Sequence, residues 1–171
     1  TATMSNLDSG GTVQFNTTDS TGTTTIAVTS AVTGATDVLN LAIGNSGDVY
    51  ALATVAAANV ETINIIANDS AATGSAAFIN TATLAAAALT TLTVSGNNGL
   101  TLTNTTEVAV TSFDASGVVA NDTVAAANAA ATTDTLGNLA VTYTSANLTT
   151  TASTSITGGA GNDSLTGAAA K

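Results

Sequence analysis

The 171 residues predict an all-β fold of the β-solenoid kind, in which short strands are wound into stacked coils, and three observations carry that expectation. First, the segments TDVLNLAIG (36–44), VETINIIAN (60–68) and LTTLTVSGN (89–97) can be laid over one another, and VTSFDASG (110–117) follows them. Matching Leu39 to Ile63, Ile63 to Leu92 and Gly96 to Gly117 gives offsets of 24, 29 and 21 residues, an imperfect repeat at solenoid spacing. Second, apolar residues recur at every other position within each segment, so one strand face turns to a core and Thr or Asn occupies the other. Third, the segments are separated by turn phrases such as GNSGD (44–48) and SGNNG (95–99), whose residues tolerate positive φ.

Along the chain, short strands are expected at 13–15 and 23–28. The next three rest on Leu39, Leu41 and Ile43, on Ile63 and Ile65, and on Leu92 and Val94. A strand at 100–103 follows, Val108 and Val110 continue the alternation, and further strands fall at 140–143 and 155–157. Two Ala-rich stretches, LATVAAANV (52–60) and TVAAANAAATT (123–133), have the composition of helices. Thr and Asn interleave both, however, and no capping box starts either. Ala equally fills the tight interior corners of a stacked coil, and stacking is the preferred reading because a single coil cannot bury its apolar face alone. Thr suits such ladders, since its β-branch favours the strand and its hydroxyl can bond the next Thr along.

Charged residues are 7% of the chain, Pro is absent and composition never shifts, so one domain is expected over 1–171. With 3% aromatic residues and no Trp, the core must be built from small side chains. Eleven acids face a single Lys, Lys171, for a net charge of −10, which makes nucleic acid and anionic membranes poor partners. No run of 18 strongly apolar residues and no charged, apolar leader occurs, so neither a membrane span nor a signal peptide is expected. Zero Cys excludes a disulfide scaffold and thiolate metal sites, and zero His and Arg removes the usual acid–base and oxyanion groups. A zinc protease would need H-E-x-x-H, and a lipase a G-x-S-x-G elbow with a His. No enzymatic role is expected; a polysaccharide-active β-helix enzyme using scattered carboxylates is the lesser alternative. Divalent cations are the expected counter-ions.

Residues 158–166, GGAGNDSLT, match the calcium-binding nonapeptide G-G-x-G-x-D-x-U-x at every fixed position. Gly158, Gly159 and Gly161 let the backbone bend so that carbonyls point inward around Ala160 and Asn162, and Asp163 adds a carboxylate. Leu165 then faces the core, with Ser164 and Thr166 facing out. Ca²⁺ takes six to eight oxygens, so one loop supplies about half a shell. GAAAK follows instead of a second nonapeptide, and the reading therefore expects a piece of a longer chain with 158–167 as its one complete repeat. Asp114, Asp69, Glu61, Asp37 and Asp48 are further candidate Ca²⁺ ligands; solvated turn carboxylates or Asx-turns are the competing reading for each.

The series TDVLNLAI, VETINIIANDS, LTVSGNNGLTLTNT, AVTSFDASGV and ITGGAGNDSLTG, over roughly residues 35–167, resembles the C-terminal crystallisation part of repeat-in-toxin surface-layer proteins. Residues 1–34 share only the Thr-rich style. The resemblance implies a right-handed parallel β-helix, or β-solenoid, carrying Ca²⁺ and exported by type I secretion through a C-terminal signal. It further implies self-assembly with other lattice subunits into a two-dimensional layer on the bacterial cell surface. Cell-surface polysaccharide would be a partner through another module. An adhesin spacer and an ice-binding β-solenoid are the alternatives; Ala160 in place of Thr, and no visible T-x-T ladder in register across coils, count against the second.

Overall fold

The computed structural model describes residues 1–17, 19–44, 50–68, 79–119, 139–148 and 153–168. Among them it is all-β, with no helix: β1 (Ala2–Leu7), β2 (Thr12–Phe15), β3 (Asp19–Val28), β4 (Val38–Ile43), β5 (Ala51–Ala56), β6 (Thr62–Ala67), β7 (Asn80–Ala85), β8 (Thr91–Gly96), β9 (Leu100–Asn104), β10 (Ser112–Val118), β11 (Val141–Thr144), β12 (Ser155–Thr157) and β13 (Ser164–Thr166). Odd-numbered strands form one sheet in the order β1-β3-β5-β7-β9-β11-β13, and even-numbered strands a second in the order β12-β10-β8-β6-β4-β2. Every pairing is parallel. The chain therefore changes sheet after each strand and returns to pair with the strand two before it.

The alternating residues close the core between the sheets. Leu39, Leu41, Ile43, Ile63, Ile65, Leu92 and Val94 from the even sheet are buried in one cluster with Leu52, Val55, Leu84, Leu100, Val141 and Tyr143 from the odd sheet. Burying each such side chain contributes about 1.5–3 kcal/mol, which lets a core of medium-sized residues hold the two sheets together. At the far ends of β4 and β8 the chain leaves through Gly44 (φ 89°) and Gly96 (φ 116°). A Cβ at either would run into a carbonyl of the neighbouring strand's end, that of Asn68 or Ala67 respectively, so both the dihedral and the space require glycine.

Register follows the sequence overlay at its first two steps: Leu39 pairs with Ile63, and Ile63 with Leu92. The third step slips. Phe113 pairs with Leu92, but an irregularity between Asp114 and Gly117 then sets Gly117 opposite Ser95 and Val118 opposite Gly96. The match of Gly96 to Gly117 is thus off by one residue, because β10 inserts extra chain that no hydrophobic count reveals. Val108 and Val110 are also corrected: they lie in the connection before β10, where Val108 is 38% exposed and Val110 fully buried.

The Ala-rich 52–60 stretch is strand β5 followed by a turn through Asn59 (φ 61°), which removes the helical option; residues 123–133 lie outside the described residues. Strands β1 and β7 were not marked by the alternation, β1 because its residues are nearly all exposed. A further correction concerns Thr. Thr81 and Thr83 pair with Thr101 and Thr103, Thr101 pairs with Thr142, and Thr142 and Thr144 pair with Ser164 and Thr166. Thr54 pairs with Thr23 on one side and Thr83 on the other. Thr rows in register do run from β7 through β9 and β11 to β13, with Ser164 in one place, but they do not cross the whole odd sheet: β5 supplies only Thr54, and Thr81 and Thr25 pair there with Ala51 and Ala56.

Candidate metal centre

Residues 158–163 of the nonapeptide form the turn between β12 and β13, and its last three residues are β13 itself. Thr157, the last residue of β12, pairs with Asp114 on β10, and Leu165 pairs with Tyr143 on β11 and packs against the core. Its three glycines answer to contact. A Cβ on Gly158 would strike the Asp163 carboxylate, one on Gly161 the Leu139–Ala140 peptide, and one on Gly159 would sit 2.6 Å from the Ala115 carbonyl oxygen and 2.9 Å from Val118 Cβ. Asp163 ties the turn shut: its Oδ2 accepts the Gly159 N–H at 2.7 Å and its Oδ1 accepts the Val141 N–H at 2.8 Å. The Ala160 N–H donates to the Val118 carbonyl at 3.0 Å, while Ala160 and Asn162 themselves are exposed.

Asp163 therefore clamps its own turn to β11, and each oxygen keeps a lone pair after one hydrogen bond. The donor set here is oxygen only, which suits a hard cation such as Ca²⁺. Asp163 and the turn's carbonyls are the groups that would hold it.

The remaining candidates separate. Asp114 faces outward on β10, in register with Thr93 on β8, and its Oδ1 accepts the Ser116 N–H at 2.8 Å. That bond, with help from the Ser116 hydroxyl, holds the Asp114 carboxyl below its ordinary value. The same outward row carries a hydrogen-bonded ladder: Thr93 Oγ1 donates to Asn64 Oδ1, and Asn64 Nδ2 to Asn40 Oδ1, both at 2.8 Å. Asp37 and Glu61 do come together, immediately before β4 and β6, where Glu61 Oε2 accepts the Asp37 N–H at 2.9 Å. Asp69 and Asp48 lie outside the described residues. Among the described residues no three acidic side chains converge. A calcium shell built mainly from carbonyls needs no such convergence.

Sequence reasoning passed over Glu107, which is 0% exposed. Its Oε1 accepts the Ala86 N–H at 2.6 Å, and its Oε2 accepts the N–H groups of Thr105 at 2.6 Å and Thr106 at 2.9 Å. A carboxylate can be buried in a chain this poor in cations because backbone donors from two turns surround it. The signal available was a lone Glu immediately before the apolar Val108–Val110 run. Beyond it, Asn147 Nδ2 donates to the Val110 carbonyl at 2.6 Å and fixes the same connection from the other side. Compared with known proteins, the chain matches no family model and no curated protein.

Proposed function

We propose that this chain is a structural subunit of a calcium-dependent bacterial surface layer: a right-handed parallel β-solenoid whose role is assembly, with Ca²⁺ stiffening its coils, and which performs no catalysis. One observation carries the reading. Four of the five fixed positions of the nonapeptide, Gly158, Gly159, Gly161 and Asp163, lie in a single turn in which Gly159 packs on β10 and Gly161 on the Leu139–Ala140 peptide, the Asp163 carboxylate bridges to β11, and the fifth, Leu165, lies in β13 against the core. The alternation of parallel strands between two sheets supports the solenoid, because stacking of successive coils produces that order. A net charge of −10 with one Lys supports a cation as the partner of the folded form. Binding to the folded form alone stabilises it by linkage, and extracellular calcium modules work at about 10⁻⁴ to 10⁻³ M. In this reading the protein is exported by type I secretion, sits at the cell surface and meets other lattice subunits there, with cell-surface polysaccharide reached through a separate module.

The test is a calcium titration followed by light scattering and negative-stain microscopy. Ordered sheets that form with Ca²⁺ and dissolve in EGTA are expected. Monomers at every calcium concentration would favour the adhesin-spacer alternative.

A second reading is favoured by the Thr pairs. A parallel sheet repeats its strands at about 4.8 Å, so the paired T-x-T rows present hydroxyls and methyls in a regular array of the kind that can order water against ice. Thermal hysteresis measured on the chain distinguishes it: a freezing-point gap supports an ice-binding face, and its absence removes that reading.

A further inference from the structure

Asp37 carries the carboxylate oxygen that the described residues leave without a partner. The residue is 8% exposed, and its buried Oδ2 receives no hydrogen bond. That oxygen lies against Gly34, in space a Cβ there would fill. The Asp37 backbone is fully engaged, its N–H on Glu61 Oε2 and its carbonyl accepting from Thr62. Glu61 holds the equivalent place on the next strand, since Val38 pairs with Thr62. The two acids thus stand at the entries of neighbouring parallel strands whose backbones run about 4.8 Å apart, a placement in which like charges repel.

The other enclosed acids show how this chain ordinarily solves the problem. Glu107 and Asp163 fill both oxygens with backbone N–H donors. Among the described residues Asp37 Oδ2 has no such donor, and the entire complement of Lys, Arg and His is one Lys. A buried carboxylate demands a hydrogen-bond donor or a positive charge. We infer that Asp37 and Glu61 hold a hard divalent cation at a site separate from the nonapeptide, with two carboxylates as its anionic ligands. Oxygen donors of this charge select Ca²⁺ or Mg²⁺ over softer metals. The inference rests on the calcium reading only for the identity of the ion.

The experiment adds Ca²⁺ to metal-stripped protein and reads stoichiometry by calorimetry and the thermal midpoint, for the wild-type chain, Asp37→Asn, Glu61→Gln and Asp163→Asn. Asp37→Asn is expected to lose one equivalent of Ca²⁺. In EGTA its midpoint should equal or exceed that of the wild type, because the uncompensated charge has gone, while in Ca²⁺ the order reverses. Glu61→Gln keeps an amide oxygen to accept the Asp37 N–H, so it should stay folded and bind at that site at least tenfold more weakly. Asp163→Asn should retain the equivalent. Unchanged stoichiometry and an unchanged calcium shift in Asp37→Asn would overturn the proposal, and if that variant does not fold, wild-type binding by Glu61→Gln does the same. Loss confined to Asp163→Asn would sink this site and leave the nonapeptide reading standing; loss confined to Asp37→Asn and Glu61→Gln would do the reverse.

Discussion

Phe113 of the even sheet and Tyr143 of the odd sheet stack face to face, ring centroids 3.9 Å apart and planes within 5°. They are the two largest fully buried side chains among the described residues, and their contact joins the two sheets. Phe113→Ala should cost about 3–5 kcal/mol and Phe113→Leu markedly less, because the larger cavity also strips the face of Tyr143. Urea unfolding at fixed slope measures the difference.

Tyr143 also predicts an alkaline limit. Burial pushes its hydroxyl above the ordinary value of 10.0, Ser145 and Asn104 pull the other way, and the negative charge of Glu107 adds to the rise. Among the described residues the hydroxyl has no hydrogen-bond partner of good geometry. The unfolded chain ionises first, so the stability gained from keeping this phenol neutral is whole below about pH 10 and is lost as pH rises through the folded value. Thermal midpoints should fall above that pH, and fall less in Tyr143→Phe. At pH 7 that variant should lie within about 1 kcal/mol of the wild type, since no bond is lost.

Glu107→Gln places an amide where carboxylate oxygens now receive three backbone donors. One of its two terminal groups then becomes a donor facing a donor. The expected loss is about 1–3 kcal/mol, and amide exchange at Ala86, Thr105 and Thr106 should accelerate together.

The glycines on either side of β13 should respond unequally. Gly161→Ala drives a methyl into the Leu139–Ala140 peptide and should cost about 1–3 kcal/mol, whereas Gly167→Ala meets nothing within 4 Å and should be nearly silent. Equal midpoints for the two variants would contradict the packing described for the turn.

Chelation should lower the wild-type melting temperature and reduce strand content by circular dichroism. Asp163→Asn should melt lower even in EGTA, because a charge-assisted bond to Gly159 or Val141 weakens, and should show a smaller calcium response. A melt indifferent to EGTA would remove calcium from the account.

Those contrasts show what could be read from the residues alone. Leu39, Ile63 and Leu92 were legible because apolar residues recur at every other position from each, and pairing followed the overlay directly. β5 and β7 were hidden, since Ala and Thr fit strand, corner and helix alike and only the neighbouring strands decide among them. The slip in β10 was hidden for a related reason: extra chain at Asp114–Gly117 leaves the inward residues Phe113 and Ala115 in an unbroken alternation. The nonapeptide was legible by its spacing, whereas the burial of Asp37 and Glu107 depends on turns that fold over them.

Because each described strand from β3 onward pairs with the strand two before it, no pairing among the described residues needs a part of the chain that has yet to arrive. A polypeptide delivered end-first could lay down one rung at a time on the last, and each completed rung would act as a pawl against backsliding. In the proposed solenoid, growth of this kind is a ratchet, and length can change by whole rungs without rewriting those already set.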